Sequence, residues 1–174
     1  MYFCLITNIE KSGVNVLIQS KADPNFVMLD RICDIQSKTI KGIKTFDHAP
    51  AYLAIESCAQ LGAFHARYDL GFCRHVFFIN VKAYTLCPAD EIHGTFIIKG
   101  TCLSRSSDAF LYAIQITNNK DFDNTGKFLL GVADYDERFD KSRLIKHYQD
   151  IFSDLVCPKS KGRISPPDRL NCSA

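Results

Sequence analysis

One proline-free run, AYLAIESCAQLGAFHARY from Ala51 to Tyr68, constrains the fold of this chain more than any other segment. Wound as a helix, it is apolar around most of its circumference. Pro50 suits the first helical position, and Gly71 suits the stop just beyond the last turn. Because a helix that is apolar on nearly every side must be enclosed, the rest of the chain is expected to wrap round it.

Strand patterns lie on both sides of this helix. Two apolar, β-branched runs precede it as a hairpin, Phe26–Ile35 and Thr39–Phe46. Four further runs follow it: Val76–Tyr84, Glu91–Leu103, Ala109–Thr117 and Lys127–Asp134. One long helix inserted between two strands and four strands predicts an α+β fold, with a largely antiparallel sheet of about six strands round a central helix.

The two ends of the chain carry weaker signals. Asp140–Val156 has apolar residues mostly three or four apart, which predicts an amphipathic terminal helix. Phe3–Ile9 and Val14–Ile18 fit either a strand or a short helix, and the pattern does not decide between them. We predict a single domain over residues 1–156 and a basic, mobile tail over residues 157–174.

The positive charge is concentrated in that tail. The chain has a formal net charge of +2. The tail holds four Lys/Arg and one Asp, a net +3, so residues 1–156 carry −1. A body of this charge is not a nucleic-acid surface. No apolar run approaches the roughly 18 residues of a membrane span, and Met1–Ile9 lacks a signal-peptide pattern, so we expect a cytoplasmic protein.

No motif in the sequence indicates a bound metal or cofactor. The eight cysteines are dispersed and form no CxxC pair. Four of them lie in apolar segments and are expected in the core as small hydrophobes: Cys33, Cys58, Cys87 and Cys102. No two histidines have local metal-ligand spacing, and no phosphate loop or dinucleotide fingerprint is present. We therefore expect no metal site and no resident cofactor.

The unusual residue of the central helix is Glu56. An unpaired carboxylate in an enclosed helix is costly, so it is expected to be paired, protonated or part of a site. Gln60 lies four residues later on the same face and is in position to form a hydrogen bond with it.

These segments resemble the hotdog-fold 3-hydroxyacyl-carrier-protein dehydratases, and especially their shorter relatives from aryl-polyene biosynthesis. Phe26–Arg31 resembles the opening strand of that family, which closes on Asp-Arg. Glu56-Ser57-Cys58-Ala59-Gln60 is similar to the family's Glu-x-x-Ala-Gln signature, and Tyr84–Asp90 to its aromatic strand ending in Pro-Gly-Asp. The resemblance covers roughly residues 20–138 and implies a hotdog fold, a homodimer and an acyl-thioester substrate.

The resemblance implies an acid/base role for Glu56. Dehydration needs a base for the α-proton, an acid for the departing hydroxyl and donors for the thioester oxygen. In a closed apolar site the pKa of Glu56 would rise, which keeps the carboxyl protonated near neutral pH. The helix start at Pro50 and Ala51 is expected to bind the substrate, with the exposed backbone N–H groups after Pro50 donating to the thioester oxygen.

The chain departs from the family at the catalytic histidine, because the loop with Gly-His-Phe-Pro has no counterpart. His48 is the one histidine in the right neighbourhood. It lies too far from Glu56 along one chain, so it would have to meet Glu56 of a partner subunit. The alternative is that His48, with Asp47, only caps the helix. His65, near the helix end, is expected to supply a favourable C-terminal charge.

The substrate is expected to arrive on the phosphopantetheine of an acyl carrier protein or of CoA. Arg67, Arg74 and Lys82 are candidate phosphate contacts by charge and position, with a solvated surface role as the alternative for each. Gln60 would complete the site beside Glu56. Whether the protein is an enzyme at all stays open. The competing functions are an acyl thioesterase, in which Glu56 or Asp47 acts on water or as nucleophile, and a non-catalytic acyl-binding or partner subunit.

Overall fold

The computed structural model describes residues 26–85, 90–118, 122–135 and 141–156. The predictions for Phe3–Ile9, Val14–Ile18, Cys87 and the tail of residues 157–174 lie outside the described residues.

The described residues form six strands and two helices. In chain order these are β1 (Arg31–Ile35), β2 (Thr39–Pro50), α1 (Leu53–Asp69), β3 (His75–Lys82), β4 (Glu91–Arg105), β5 (Ala109–Thr117), β6 (Asp123–Ala133) and α2 (Lys141–Leu155). The strands form one sheet in the order β1-β2-β4-β5-β6-β3. Every neighbouring pair is antiparallel. The predicted α+β architecture, with six strands and a long helix between the second and third, is confirmed.

The helix boundary differs from the prediction at Pro50. The sheet continues through this residue, which pairs with Glu91, and α1 begins only at Leu53. The amide of Ala51 donates to the carbonyl of Asp90 at 2.9 Å, which extends the strand pairing past the proline. Pro50 therefore ends a strand, a position that suits a residue without an N–H group. Beyond the helix, Gly71 adopts a positive φ of 59°, as expected for the stop.

Helix α1 is enclosed as predicted, since every residue from Ala54 to Arg67 is buried. One glycine of the sheet allows the helix to approach closely. A Cβ atom added at Gly42 would lie 2.8 Å from Leu61 Cδ1, which is closer than carbon atoms pack. Leu61 itself is fully buried. The absent side chain of Gly42 lets the leucine sit directly on β2 at core packing density.

Helix α2 packs against the C-terminal half of α1 through a cluster of aromatic side chains. The ring of Phe152 stacks on Tyr68 at 5.4 Å and meets the edge of Phe72 at 5.4 Å. The guanidinium of Arg67 lies 3.8 Å from the ring centroid of Tyr148 and donates to the carbonyl of Val76 at 2.6 Å. Because Arg67 is only 2 % exposed, the prediction that it contacts a substrate phosphate is wrong.

Of the cysteines expected in the core, one is fully buried among the described residues. Cys58 is buried in the core, whereas Cys33 and Cys102 are half-buried. In the part of the chain that the structure describes, no helix has the length and apolarity needed to cross a membrane.

His65 is a core residue, which corrects its predicted role as a charge at the helix end. It is 2 % exposed, and its Nε2 lies 2.7 Å from the carbonyl oxygen of Gln36. Since that oxygen only accepts, Nε2 carries the hydrogen, and Nδ1 accepts from the hydroxyl of Tyr112 at 2.8 Å. Burial lowers the pKa of His65, against a smaller opposing effect of the Gln36 carbonyl.

The protein is expected to lose stability as the pH falls through the ordinary range of histidine. The unfolded chain takes up a proton at His65 near pH 6.5, whereas the lowered pKa keeps the folded state neutral, so acid favours unfolding. Urea titrations from pH 7.5 to 5 should show a flatter pH dependence for His65→Gln than for wild type. The exposed His93→Gln serves as control, and equal slopes in all three proteins would contradict the assignment.

Candidate functional site

The candidate site centres on Glu56 in the first turn of α1. The helix is enclosed on all sides, so this carboxyl group is only 1 % exposed. Among the described residues, no cation forms a salt bridge with it. A carboxyl group buried without a counter-ion is costly to ionise, and natural folds retain such groups chiefly where they have a task.

Gln60 holds Glu56 in place, as the sequence predicted. Its Nε2 donates to Glu56 Oε1 at 2.8 Å and lies 3.2 Å from the carbonyl oxygen of Phe26. Its Oε1 accepts the backbone N–H of Met28 at 2.8 Å. The amide of Gln60 thus joins the segment before β1 to the face of α1 that carries Glu56.

This network fixes the position of the Glu56 proton. The Met28 N–H can only donate, so the oxygen of the Gln60 amide must face it and the NH₂ group must face Glu56. Glu56 Oε1 therefore accepts, and a neutral carboxyl group carries its hydrogen on Oε2. Glu56 Oε2 is buried and has no hydrogen-bond partner among the described residues. The proton-bearing oxygen is thus the one polar atom of the carboxyl group that makes no hydrogen bond within the described residues.

Burial raises the pKa of Glu56 from 4.5 to about 7, and the hydrogen bond from Gln60 opposes this only in part. Near neutral pH both the neutral acid and the carboxylate are therefore populated. A group in this state can donate a proton and accept one without a large change in pH, as general acid–base catalysis requires.

We expect Glu56→Gln to stabilise the protein above neutral pH. The folded pKa lies above the unfolded value, so wild type loses stability as the pH rises from 4.5 to about 7, by about 3 kcal/mol in all. The variant cannot ionise and keeps an oxygen for Gln60. Thermal unfolding at pH 4.5 and pH 8 should show a gain only at pH 8. The exposed Glu91→Gln should show no such gain, and a loss of stability at pH 8 for Glu56→Gln would refute the raised pKa.

The start of α1 provides donors one residue later than predicted. The Ala51 N–H is already bonded to Asp90, so it is not available to a thioester oxygen, and Pro50 has no N–H. Within the described residues, no bond is made by the amides of Tyr52 and Leu53, which open the helix. No side chain caps this end of the helix. The alternative in which His48 and Asp47 cap α1 is therefore wrong.

His48 lies on an irregularity of β2 rather than beside Glu56. Phe46 pairs with Gly94 and Ala49 with Ile92, so Asp47 and His48 together face the single residue His93. The extra residue forms a β-bulge, and His48 within it has a positive φ of 45°. The His48 side chain is 72 % exposed. A meeting with Glu56 of a partner subunit stays a prediction.

The bulge gathers a set of side chains that local sequence spacing did not reveal. Asp47, His48 and His93 each offer one ligand atom, and these atoms lie within 4.8 Å of one another. The two histidines are 45 positions apart in the sequence, so only the pairing of β2 with β4 brings them together. To predict this cluster from the sequence, the register in which β2 pairs with β4 would have to be known.

Arg74 and Lys82, the two remaining candidates for a phosphate contact, lie in different parts of the fold. Arg74 directly precedes β3 at the end of α1 that is distant from Glu56, and its Nε lies 2.6 Å from Asp134 Oδ1. Glu56 lies thirteen residues before the end of α1, which corresponds to about 20 Å along the axis. Lys82 ends β3, about 23 Å along the strand from His75. Lys82 is exposed, and among the described residues no ion pair holds it.

Comparison with known proteins shows the fold. No family model matches the sequence, and no curated protein matches it. A mutant thioesterase from Pseudomonas aeruginosa has a TM-score of 0.54 at 8 % identity, over 66 % of this chain and 87 % of that one. The dehydratase heterocomplex ApeI:P from Xenorhabdus doucetiae has a TM-score of 0.51 at 14 % identity, over 64 % and 85 %.

A third solved structure, a protein from Streptococcus mutans bound to acetyl-CoA, has a TM-score of 0.50 at 10 % identity, over 60 % of this chain and 88 % of that one. These likenesses, together with the six-stranded antiparallel sheet round α1, show that the chain has the hotdog fold found in thioesterases and in a dehydratase.

Proposed function

We propose that this protein processes acyl thioesters and that its reaction is the dehydration of a 3-hydroxyacyl thioester. The observation that carries the proposal is the Glu56 carboxyl group, buried, held at one oxygen by Gln60 and unbonded at the other. The same fold occurs in a dehydratase and in a thioesterase, so the choice between these reactions depends on the chemistry of this group.

Dehydration suits a carboxyl group with a pKa of about 7. The ionised form takes the α-proton of the substrate, and the electrons of that C–H bond form the double bond to the β-carbon. The C–O bond at the β-carbon breaks, and the proton now on Glu56 Oε2 leaves with the hydroxyl group as water. Base and acid are needed in succession at adjacent carbons, and a single group poised between both states can serve both steps.

Negative charge that develops on the thioester oxygen needs donors. The amides of Tyr52 and Leu53 lie one turn before Glu56 on the same helix and are unbonded within the described residues. Hydrogen bonds at a helix start stabilise developing negative charge. We assign these two amides, in place of Ala51, as the donors to the thioester oxygen.

The substrate would be carried on CoA or on an acyl carrier protein. One solved structure with this fold is bound to acetyl-CoA. Lys82 is the remaining candidate for a phosphate of the carrier arm, because Arg67 is buried under Tyr148 and Arg74 is paired with Asp134. No resident cofactor or metal is required for this reaction.

We also infer a homodimer formed through the edge strand β3. Within the part of the chain that the structure describes, β3 pairs with β6 on one side only and ends the sheet on the other. Phe77 and Ile79 are 39 % and 41 % exposed, and both side chains lie over Gly131 on one face. An open strand edge beside two exposed apolar side chains is a surface that another chain can cover.

The double substitution Phe77→Lys and Ile79→Lys is expected to convert a dimer into a monomer, since it places two like charges at the proposed contact. Size-exclusion chromatography with light scattering measures the mass directly. Leu103→Lys is the matched control, because Leu103 is 49 % exposed but lies on the interior strand β4. A wild-type monomer at micromolar concentration, or dissociation by the control alone, would contradict this interface.

The reaction is tested with 3-hydroxyacyl thioesters of several chain lengths, following enoyl product and free thiol together. We expect wild type to form the enoyl thioester and Glu56→Gln to lose at least a hundredfold in rate, as is typical when an acid–base group is removed. The second variant, His48→Ala, tests the predicted meeting of His48 with Glu56 of a partner subunit: a loss of similar size is expected if His48 acts there, whereas retained activity limits the acid–base role to Glu56.

The other outcomes discriminate the competing functions. Loss of enoyl formation in both variants would establish His48 as a second acid–base group that acts across the dimer. Release of free thiol would favour a thioesterase. Saturable acyl-thioester binding without either product would indicate a non-catalytic subunit and overturn the proposed reaction.

A further inference from the structure

The bulge between β2 and β4 presents two imidazole rings and two carboxylates on one exposed surface. His48 and His93 stack with ring centroids 4.8 Å apart and an angle of 25° between their planes. Asp47 Oδ1 lies 3.7 Å from His93 Nδ1, and Glu91 Oε2 lies 3.8 Å from His48 Nδ1. The Nδ1 atom of each imidazole therefore faces a carboxylate oxygen.

These contacts are too long for hydrogen bonds, and none of the four side chains makes a hydrogen bond with another described residue. The side chains are mobile enough to adjust, since those of His48 and His93 are 72 % and 65 % exposed. The backbone that carries them is fixed by strand pairing on both sides of the bulge, from Phe46 with Gly94 to Ala49 with Ile92. The paired backbone thus holds the four side chains close together, while their nitrogen and oxygen atoms make no hydrogen bond within the described residues.

The spacing fits a small transition-metal ion. With metal–ligand bonds of about 2.0–2.2 Å, tetrahedral geometry places ligand atoms about 3.3–3.6 Å apart. The ligand atoms of Asp47, His48 and His93 lie within 4.8 Å of one another. Rotations of these exposed side chains that move each ligand atom by about 1 Å would bring the atoms to the tetrahedral spacing. Two imidazoles with carboxylate oxygens suit Zn²⁺, whereas Mg²⁺ and Ca²⁺ require oxygen ligands.

We propose that Asp47, His48 and His93 bind one Zn²⁺-class ion per chain, with Glu91 as the fourth ligand. All four residues belong to a single chain, so the site does not depend on dimerisation or on the proposed reaction. Asp47 and His48 lie just before the chain enters α1, and Asp90, next to Glu91, accepts from Ala51. A bound ion would clamp the end of β2 to the start of β4, at the point where the helix bearing Glu56 begins.

The proposal is tested by isothermal titration of ZnCl₂ into the full chain, after removal of metals with a chelator and alkylation of the thiols. Alkylation removes the cysteines as competing ligands. We expect one equivalent per chain with micromolar affinity, and a loss of at least tenfold in His48→Gln and in His93→Gln. His147→Gln is the matched control, because His147 is an exposed histidine on α2.

A second readout uses Zn²⁺-dependent thermal unfolding. An ion that binds only the folded chain raises the melting temperature of wild type and of His147→Gln, and this rise should disappear in His48→Gln and His93→Gln. The proposal is overturned if no saturable binding occurs below 1 mM, a limit about a thousandfold above the expected micromolar affinity. It is equally overturned if both bulge variants bind as wild type does, or if His147→Gln loses affinity to the same extent.

Discussion

The enclosure of α1 by the sheet is the constraint on which the rest of the structure depends. Every residue from Ala54 to Arg67 is buried, so the helix is removed from water. The transfer of its apolar surface out of water is the main favourable contribution to the fold. The sheet can approach this closely because Gly42 leaves room for Leu61. The same enclosure makes each polar group on the helix either a partner in a hydrogen bond or a source of instability.

The polar residues of α1 meet this requirement in different ways. His65 is satisfied by Gln36 and Tyr112, and Arg67 donates to the carbonyl of Val76 and lies against the ring of Tyr148. Glu56 is hydrogen-bonded at one oxygen only and has no counter-ion among the described residues. A buried carboxyl group of this kind leaves stability to gain at its position, which is typical of a functional group retained against its cost.

The architecture could be predicted from the sequence because apolar residues recur with a clear helical or strand period in each element. The run Ala51–Tyr68 and the strand patterns around it agree with α1 and the six strands to within a few residues. The pairing of Gln60 with Glu56 was equally predictable, since residues four apart share a helix face. The boundary at Pro50 was not, because the bond from Ala51 to Asp90 belongs to a strand pair that joins distant parts of the chain.

The sequence by itself determined the helix, the strands and the choice of Glu56 as the group of interest, because these depend on local periodicity and on the cost of burying a charge. Only the tertiary structure decided that Glu56 Oε2 is the unbonded oxygen, through the backbone of Met28 acting on Gln60. It also decided that Arg67 and His65 are core residues and that His48 joins His93 across a bulge. These outcomes depend on strand register and on contacts between elements far apart in sequence, and neither is encoded in any local pattern.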